Sequence, residues 1–178
     1  ASPILFLSDS ITATILTILL FVNIFGSHSG SRRRSEAKHM IPEINFERVD
    51  ELIALAISED LGDLGDTTTQ AVIPAGMAAV AVLKAKEECV CAGLPVAARV
   101  FAKLDRSITF NAMVNEGDLC QPGTVMARIS GPARALLAAE RTALNFLQRL
   151  CGVATTAHKY AQALSGTNTK ILDTRKTT

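Results

Sequence analysis

The pattern of hydrophobic and polar residues predicts an amphipathic helix early in the chain. Between Phe46 and Asp60 apolar residues recur every three or four positions, with Asn45 before the first turn and Gly62 after the last. Such a period, with a capping asparagine and a glycine stop, is typical of a surface helix. The repeating residues are Val49, Leu52, Ile53, Ala56 and Ile57. The segment 61–69, with two Gly-Asp pairs and three threonines, predicts a turn.

Alternation replaces the helical period further along the chain. Apolar residues at every second position predict strands at 80–86, 108–114 and 125–129, and the apolar segment 89–92 suits a shorter strand. A Gly-Leu-Pro sequence directly after that segment predicts a helix that runs to Leu104, because proline is favoured in the first helical turn. Together these elements predict an α+β layer with its own hydrophobic core.

The longest helical pattern begins at Gly131 and carries leucine and alanine on one face. Glu140 lies between two leucines of this apolar face, where an unpaired carboxylate is costly to bury. We therefore expect Glu140 to have a partner. A second helical pattern resumes at Gly152, and the segment 169–174 predicts a strand.

Residues 4–25 form an apolar stretch long enough to cross a membrane as a helix, since a span needs about 20 residues. The following segment, 26–40, is rich in serine and contains three consecutive arginines. In a secretory signal the positive charge precedes the apolar run, so three interpretations stay open for residues 1–40. They are an extension upstream of a start near Met40, a targeting leader and a membrane anchor. In each case we expect residues 1–40 to stand apart from the fold.

Composition and charge exclude some classes of function. Hydrophobic residues make up 48% of the 178 residues and the formal net charge is +1. These values indicate a globular protein without the basic surface that nucleic-acid binding needs. The four cysteines, at positions 89, 91, 120 and 151, lack the spacing of zinc or redox motifs. We interpret them as free thiols, with a metal role for Cys89 and Cys91 as the minor alternative.

Two basic pairs are prominent in this nearly neutral chain. Arg134 and Arg141 share a flank of the long helix, and Arg175 and Lys176 follow the predicted strand at 169–174. In α/β barrels the carboxyl ends of the strands carry the active site, and arginine binds carboxylates or phosphates through two hydrogen bonds. The pattern indicates a small substrate with several negative charges.

Three segments have an order and spacing specific enough to indicate a family. They are Ala-Glu-Arg-Thr-Ala-Leu-Asn-Phe-Leu at 139–147, Cys-Gly-Val-Ala-Thr-Thr at 151–156 and Ile-Leu-Asp-Thr-Arg-Lys-Thr-Thr at 171–178. These segments closely resemble the quinolinate phosphoribosyltransferase family. The acidic turns at 59–68 and 115–118 are similar to that family as well, although residues 62–65 form a longer linker than its pattern has. The resemblance extends from Phe46 to the end of the sequence and leaves out residues 1–40.

The resemblance implies a transferase of NAD biosynthesis. Members of the family transfer a phosphoribosyl group from phosphoribosyl pyrophosphate to quinolinate, giving nicotinate mononucleotide, pyrophosphate and carbon dioxide. The family also implies Mg²⁺ on the pyrophosphate, with ligands outside this chain, and a homodimer or larger assembly.

The same resemblance implies a fold in two parts. An α+β N-terminal sandwich domain is expected at 41–143, followed at 144–178 by the first helix and strand of a truncated α/β barrel. Because such a barrel occupies about 250 residues, we expect the chain alone to be inactive.

Roles for individual residues follow from the resemblance. Arg141 corresponds to the arginine that reaches the quinolinate carboxylates from the partner subunit, so it would act in trans. Arg175 and Lys176 correspond to the pair that meets the substrate in the barrel, with Lys176 as the catalytic residue. Thr174 would donate a hydroxyl to a carboxylate. Glu140 would lie near the site or would pair an arginine across a helix interface. No residue of this chain is expected to bind a metal.

Other functions fit parts of the sequence. A relative of the same fold that is associated with molybdenum transport shares the motifs. A biotinyl or lipoyl carrier is similar at 116–118, Gly123 and 129–131, but the segment 107–114, which would form its hairpin, contains no lysine. A self-associating remnant of the enzyme is a third alternative.

The expected location depends on residues 1–40. We expect the cytoplasm, or a plastid or other organelle if this segment is a genuine targeting leader. Contact with a membrane is expected only if the apolar residues 4–25 are authentic.

Overall fold

The computed structural model describes residues 16–21, 44–169 and 171, and for 16–21 it describes the backbone alone. In chain order the elements are β1 (Leu16–Phe21), α1 (Phe46–Leu61), α2 (Thr67–Val72), β2 (Ala78–Ala85), β3 (Cys89–Val90), α3 (Leu94–Leu104), β4 (Thr109–Ala112), β5 (Leu119–Cys120), β6 (Val125–Pro132) and α4 (Ala133–Ala163).

Four of the strands form an antiparallel sheet in the order β1-β2-β6-β4. The two central strands, β2 and β6, run the length of the sheet, with Ala81 opposite Ile129 and a register shift between Leu83 and Lys84. Strands β3 and β5 form a separate two-stranded ladder in which Cys89 lies opposite Cys120. The helices cover the sheet, so the α+β class predicted from the sequence is confirmed.

The hydrophobic core joins one face of β2 and β6 to helices α3 and α4. Phe101 on α3, Met126 on β6 and Leu136 on α4 are each at most 1% exposed. Full burial of a side chain of this size stabilises the fold by about 1.5–3 kcal/mol. From α1 only Ile53 is buried, and Leu52, which the helical period also placed on the apolar face, is 57% exposed. Helix α1 therefore contacts the core along a narrower stripe than its sequence predicts.

Charged groups fix α1 against α3. The Nε of Arg99 donates to Asp50 at 2.7 Å, a second guanidinium nitrogen of Arg99 contacts the other carboxylate oxygen, and the guanidinium lies 4.5 Å from the ring centre of Phe46. Hydrogen bonding to Arg99 lowers the pKa of Asp50. A planar guanidinium suits both a carboxylate and an aromatic face, so Arg99 links α3 to two residues of α1.

Helix α3 begins at a glycine that its surroundings require. Gly93 has φ +102°, and a Cβ on it would lie 2.5 Å from Cδ1 of Leu150 on α4. The carboxylate of Glu116 accepts hydrogen bonds from the N–H groups of Gly93 and Leu94 at 2.7 and 2.8 Å. A carboxylate at a helix N-terminus satisfies free donors and complements the helix dipole. Close packing of α3 on α4 is therefore fixed at its first turn.

The prediction of a turn at 61–69 is wrong in its last part, where α2 begins. Asp66 caps this helix by accepting the N–H of Thr69 at 2.9 Å. The far end is held by Arg134, whose Nε and Nη2 donate to the carbonyls of Ile73 and Gln70 at 2.8 and 2.9 Å. Six residues are too few to show an apolar period, so local capping and a distant arginine decide the structure here.

Helix α4 is continuous where the sequence predicted a second helix to resume at Gly152. The predicted domain boundary at 143/144 lies within this helix. Glycine in a helix interior costs about 1 kcal/mol, so packing around it must compensate. Cys151 is fully buried, and the hydroxyl of Thr155 accepts the N–H of Val90 at 2.9 Å. Contacts with β3 on both sides of the glycine therefore keep the helix intact.

Two strands were not predicted. Strand β5 has only two residues, too few for an alternating pattern. Strand β1 lies in the apolar stretch 4–25 and pairs with β2 from Leu16↔Ala85 to Phe21↔Val80, so the expectation that residues 1–40 stand apart from the fold is wrong for residues 16–21. A short apolar run does not distinguish a strand from a helix by its period. None of the helices in the described part of the chain has the length and hydropathy to cross a bilayer.

Candidate functional site

Arg141 is the one predicted substrate-binding residue that lies within the described part of the chain. It occupies the middle of α4, and 76% of its side chain is exposed. Its Nη1 donates to Oδ1 of Asp60 at 2.8 Å. No other hydrogen bond of Arg141 occurs among the described residues, so the remaining guanidinium donors face solvent. An exposed guanidinium with free donors can bind an anion brought to it from outside.

Glu140 is half-buried beside Arg141 and has no hydrogen bond or ion pair within the residues described. Burial raises the pKa of Glu140 above its ordinary value of 4.5, and the positive charge of Arg141 offsets only part of this effect. The sequence analysis expected a partner for this carboxylate, and Arg141 turns to Asp60 instead. Glu140 therefore lies next to the candidate site as a destabilised charge.

We predict that Glu140→Gln makes the protein more stable at neutral pH. The native state holds the proton of Glu140 more tightly than the unfolded state does, so the contribution of Glu140 to stability is fully present below pH 4.5 and is lost as the pH rises through the raised native pKa. Glutamine carries no charge to bury and should abolish that fall. Urea unfolding over a pH series from below 4.5 to neutral measures both effects.

The matched control is Glu51→Gln on α1, where the side chain is exposed. Because surface substitutions change stability little, it should alter the unfolding free energy at neutral pH by less than about 0.5 kcal/mol. A Glu140→Gln variant that loses stability at neutral pH would show that the carboxylate has a favourable partner after all.

The sequence analysis placed Arg134 on the same flank of α4 as Arg141, but the structure gives Arg134 a structural role. Its guanidinium is engaged by the two carbonyls at the end of α2, as described above. The predicted basic pair on α4 is therefore reduced to Arg141. Asp60, which the sequence analysis did not select, belongs to the site as the partner of Arg141.

The four cysteines form a buried group away from Arg141, and the interpretation as free thiols is confirmed. Burial raises the pKa of Cys89 and of Cys120 to about 11, and it raises the pKa of Cys91 and Cys151 as well. Thiols at neutral pH pack like small apolar side chains. Within residues 44–169 and 171, no three His, Cys, Asp or Glu side chains are grouped so that they could hold a metal ion.

The other predicted site residues, Thr174, Arg175 and Lys176, lie outside the described residues. Most of the strand predicted at 169–174 does so too. Their roles and the barrel that would hold them stay predictions.

Comparison with protein families assigns the central part of the chain. Residues 66–151 match the family described as quinolinate phosphoribosyl transferase, N-terminal domain. This range begins at the N-cap of α2 and ends in the middle of α4, so it contains strands β2 to β6, helix α3 and Arg141.

Curated relatives match over a longer range. Quinolinate phosphoribosyltransferase [decarboxylating] 1b of Nicotiana tabacum is 40% identical over 126 residues, which is 71% of this chain and 35% of the relative. A probable nicotinate-nucleotide pyrophosphorylase [carboxylating] of Synechocystis is 42% identical over 122 residues, which is 68% of this chain and 41% of the relative. The chain thus spans roughly a third to two fifths of the length of these relatives.

Solved structures show the same arrangement of elements. NadC from Streptococcus pyogenes superposes with a TM-score of 0.74 at 37% identity, over 78% of this chain and 49% of that one. The nicotinate-nucleotide pyrophosphorylase from Francisella tularensis gives a TM-score of 0.73 at 30% identity, over 80% of this chain and 50% of that one. Residues 66–151 are therefore similar in sequence and in fold to the N-terminal domain of the quinolinate phosphoribosyltransferase family.

Proposed function

We propose that the complete protein is a quinolinate phosphoribosyltransferase, which converts quinolinate and phosphoribosyl pyrophosphate into nicotinate mononucleotide, pyrophosphate and carbon dioxide. The observation that carries the proposal is Arg141, an exposed guanidinium with free donors in the domain that matches this family. The names of the plant and cyanobacterial relatives support the same reaction.

The charges of the substrates explain why such an arginine is needed. Quinolinate has two carboxylates, and its co-substrate has a phosphate and a pyrophosphate, so bringing them together requires neutralisation of several negative charges. Reaction also requires the ring nitrogen to be held close to the anomeric carbon. A guanidinium that binds a carboxylate through two hydrogen bonds contributes both charge and orientation.

Arg141 would perform this role in the active site of a neighbouring subunit. Its side chain projects away from the domain core, and its hydrogen-bond partner among the described residues is Asp60. A homodimer in which each α4 faces the partner's barrel would place one Arg141 at each site. Catalysis would then depend on assembly.

The other groups that would bind or transform the substrates lie after α4 in the sequence. Arg175 and Lys176 would bind the substrate at the end of the first barrel strand, with Lys176 as the catalytic residue, and Thr174 would hydrogen-bond a carboxylate. Mg²⁺ would enter with phosphoribosyl pyrophosphate. Among the described residues, no three His, Cys, Asp or Glu side chains are grouped so that they could hold it.

The alternatives receive less support. The match at 66–151 includes the segments that resemble a biotinyl or lipoyl carrier. A molybdenum-associated relative would share the fold, but the curated relatives and the Francisella structure cited above are named as quinolinate phosphoribosyltransferases or nicotinate-nucleotide pyrophosphorylases. For location, relatives named as mitochondrial or chloroplastic support an organelle if residues 1–40 are a targeting leader.

Turnover of quinolinate by the purified complete protein tests the proposal. With carboxyl-labelled quinolinate, phosphoribosyl pyrophosphate and Mg²⁺, we expect release of labelled carbon dioxide in equal amount to nicotinate mononucleotide. Omission of phosphoribosyl pyrophosphate is the control and should abolish the release. A folded, assembled protein that releases neither product would contradict the proposed function.

A further inference from the structure

Asp60 occupies a position that is unfavourable for its own helix. It lies in the last turn of α1, where the helix dipole repels negative charge, and this turn contains no basic residue. The side chain is also only 12% exposed, so solvent compensates little for the charge. Within the described residues, the basic group that contacts this carboxylate is Arg141, at 2.8 Å. Residues from two helices thus form one charged pair.

The two side chains of this pair differ strongly in their exposure to solvent. Asp60 is nearly enclosed, whereas 76% of the Arg141 side chain is exposed. The contact uses Nη1 of Arg141, which leaves the edge formed by Nε and Nη2 free of partners in the described structure. That edge has the geometry for a second carboxylate, because a guanidinium has five donors in a rigid plane. Asp60, which is enclosed, therefore anchors the exposed guanidinium of Arg141.

We propose that Asp60 is a positioning residue that holds the guanidinium of Arg141 ready for a dicarboxylate substrate. The inference rests on the proposed function and adds a residue to it. An unrestrained arginine on a helix surface samples many rotamers, and binding must order it. With Nη1 anchored by Asp60, most of that ordering is complete before the substrate arrives. The affinity for the dicarboxylate should therefore depend on Asp60, although Asp60 does not touch the substrate.

Steady-state kinetics of the complete protein can test this role. We expect Asp60→Ala to raise KM for quinolinate on the order of five-fold, the effect of leaving one long side chain free to be ordered on binding. KM for phosphoribosyl pyrophosphate and the thermal unfolding midpoint should change little. Asp60→Asn keeps an oxygen that can accept from Nη1, so it should restore most of the affinity. Glu59→Ala, which removes an exposed acid from the same turn, is the matched control and should match the wild type.

A second comparison separates positioning from a general electrostatic effect. In an Arg141→Ala background, Asp60→Ala should cause no further change in KM, because the side chain that it positions is absent. An unchanged KM in the single variant, or an equal change in both backgrounds, would overturn the inference while the proposed function stands. A wild-type protein without quinolinate turnover would overturn both.

Discussion

Replacement of Arg141 by alanine is expected to lower kcat/KM for quinolinate roughly 100-fold, the loss that follows when one partner of a desolvated charge pair is removed. In this variant, one carboxylate of the bound substrate would lie in an enclosed site without the guanidinium that neutralises it. Because the side chain is 76% exposed in the isolated domain, its removal leaves no cavity in the core. The fold and the thermal unfolding midpoint should therefore be close to those of the wild type.

Arg128→Ala is the matched control for this variant. Arg128 is an exposed arginine on β6, opposite Asn111 in the sheet and on a different element from Arg141. Its removal changes the net charge equally and should leave kcat/KM unchanged. Equal activity of the Arg141→Ala variant and the wild type would contradict the assignment of Arg141 to the substrate.

Replacement of Phe101 by alanine is expected to destabilise the domain by about 3–5 kcal/mol, the range for deletion of a buried aromatic side chain. Phe101 is 1% exposed, and its ring centre lies 6.0 Å from that of Phe110. It comes from α3, which packs on α4, so the cavity would open behind the helix that carries Arg141. A loss of this size is a large fraction of the roughly 5–15 kcal/mol that stabilises a typical domain.

Urea denaturation measures this effect, with Met113→Ala as the control. Met113 is 55% exposed, and its truncation should change the unfolding free energy by less than about 0.5 kcal/mol. A loss below about 1 kcal/mol for Phe101→Ala would contradict the assignment of Phe101 to the core.

Helices and strands in which the pattern of apolar residues repeats several times were predictable from the sequence. Helix α1 begins at Phe46 as expected, and the side chain of Asn45 accepts the N–H of Glu47 at 3.1 Å, as an N-cap does. Helix α3 begins one residue before Pro95 and ends at Leu104 as predicted. The strands predicted at 80–86, 108–114 and 125–129 correspond to β2, β4 and β6. In each case local sequence and burial favour the same structure.

The elements that differed depend on distant residues. Helix α2 is six residues long and its far end is held by Arg134, which is more than sixty positions away in sequence. Helix α4 crosses Gly152 because Cys151 on one side of it contacts Ala92 and Thr155 on the other side contacts Val90 of β3. No periodicity within a short window contains such information.

The candidate site was predictable to a similar extent. The motif around Arg141 identified that residue, but its partner Asp60 is 81 positions earlier. One signal was available, since an acidic residue in the last turn of a helix opposes the helix dipole and needs a compensating charge. Which arginine supplies that charge could be determined only from the packing of α1 on α4.

We propose that this domain supplies Arg141 to the active site of a neighbouring subunit. Mixing two variants of the complete protein with strongly reduced activity, Arg141→Ala and Lys176→Ala, tests it most directly. If the two residues act at one site from different subunits, random mixed dimers contain one intact site each, and activity should recover to about a quarter of the wild-type value. Activity of the mixture that stays at the level of the separate variants, although mixed dimers form, would contradict the claim.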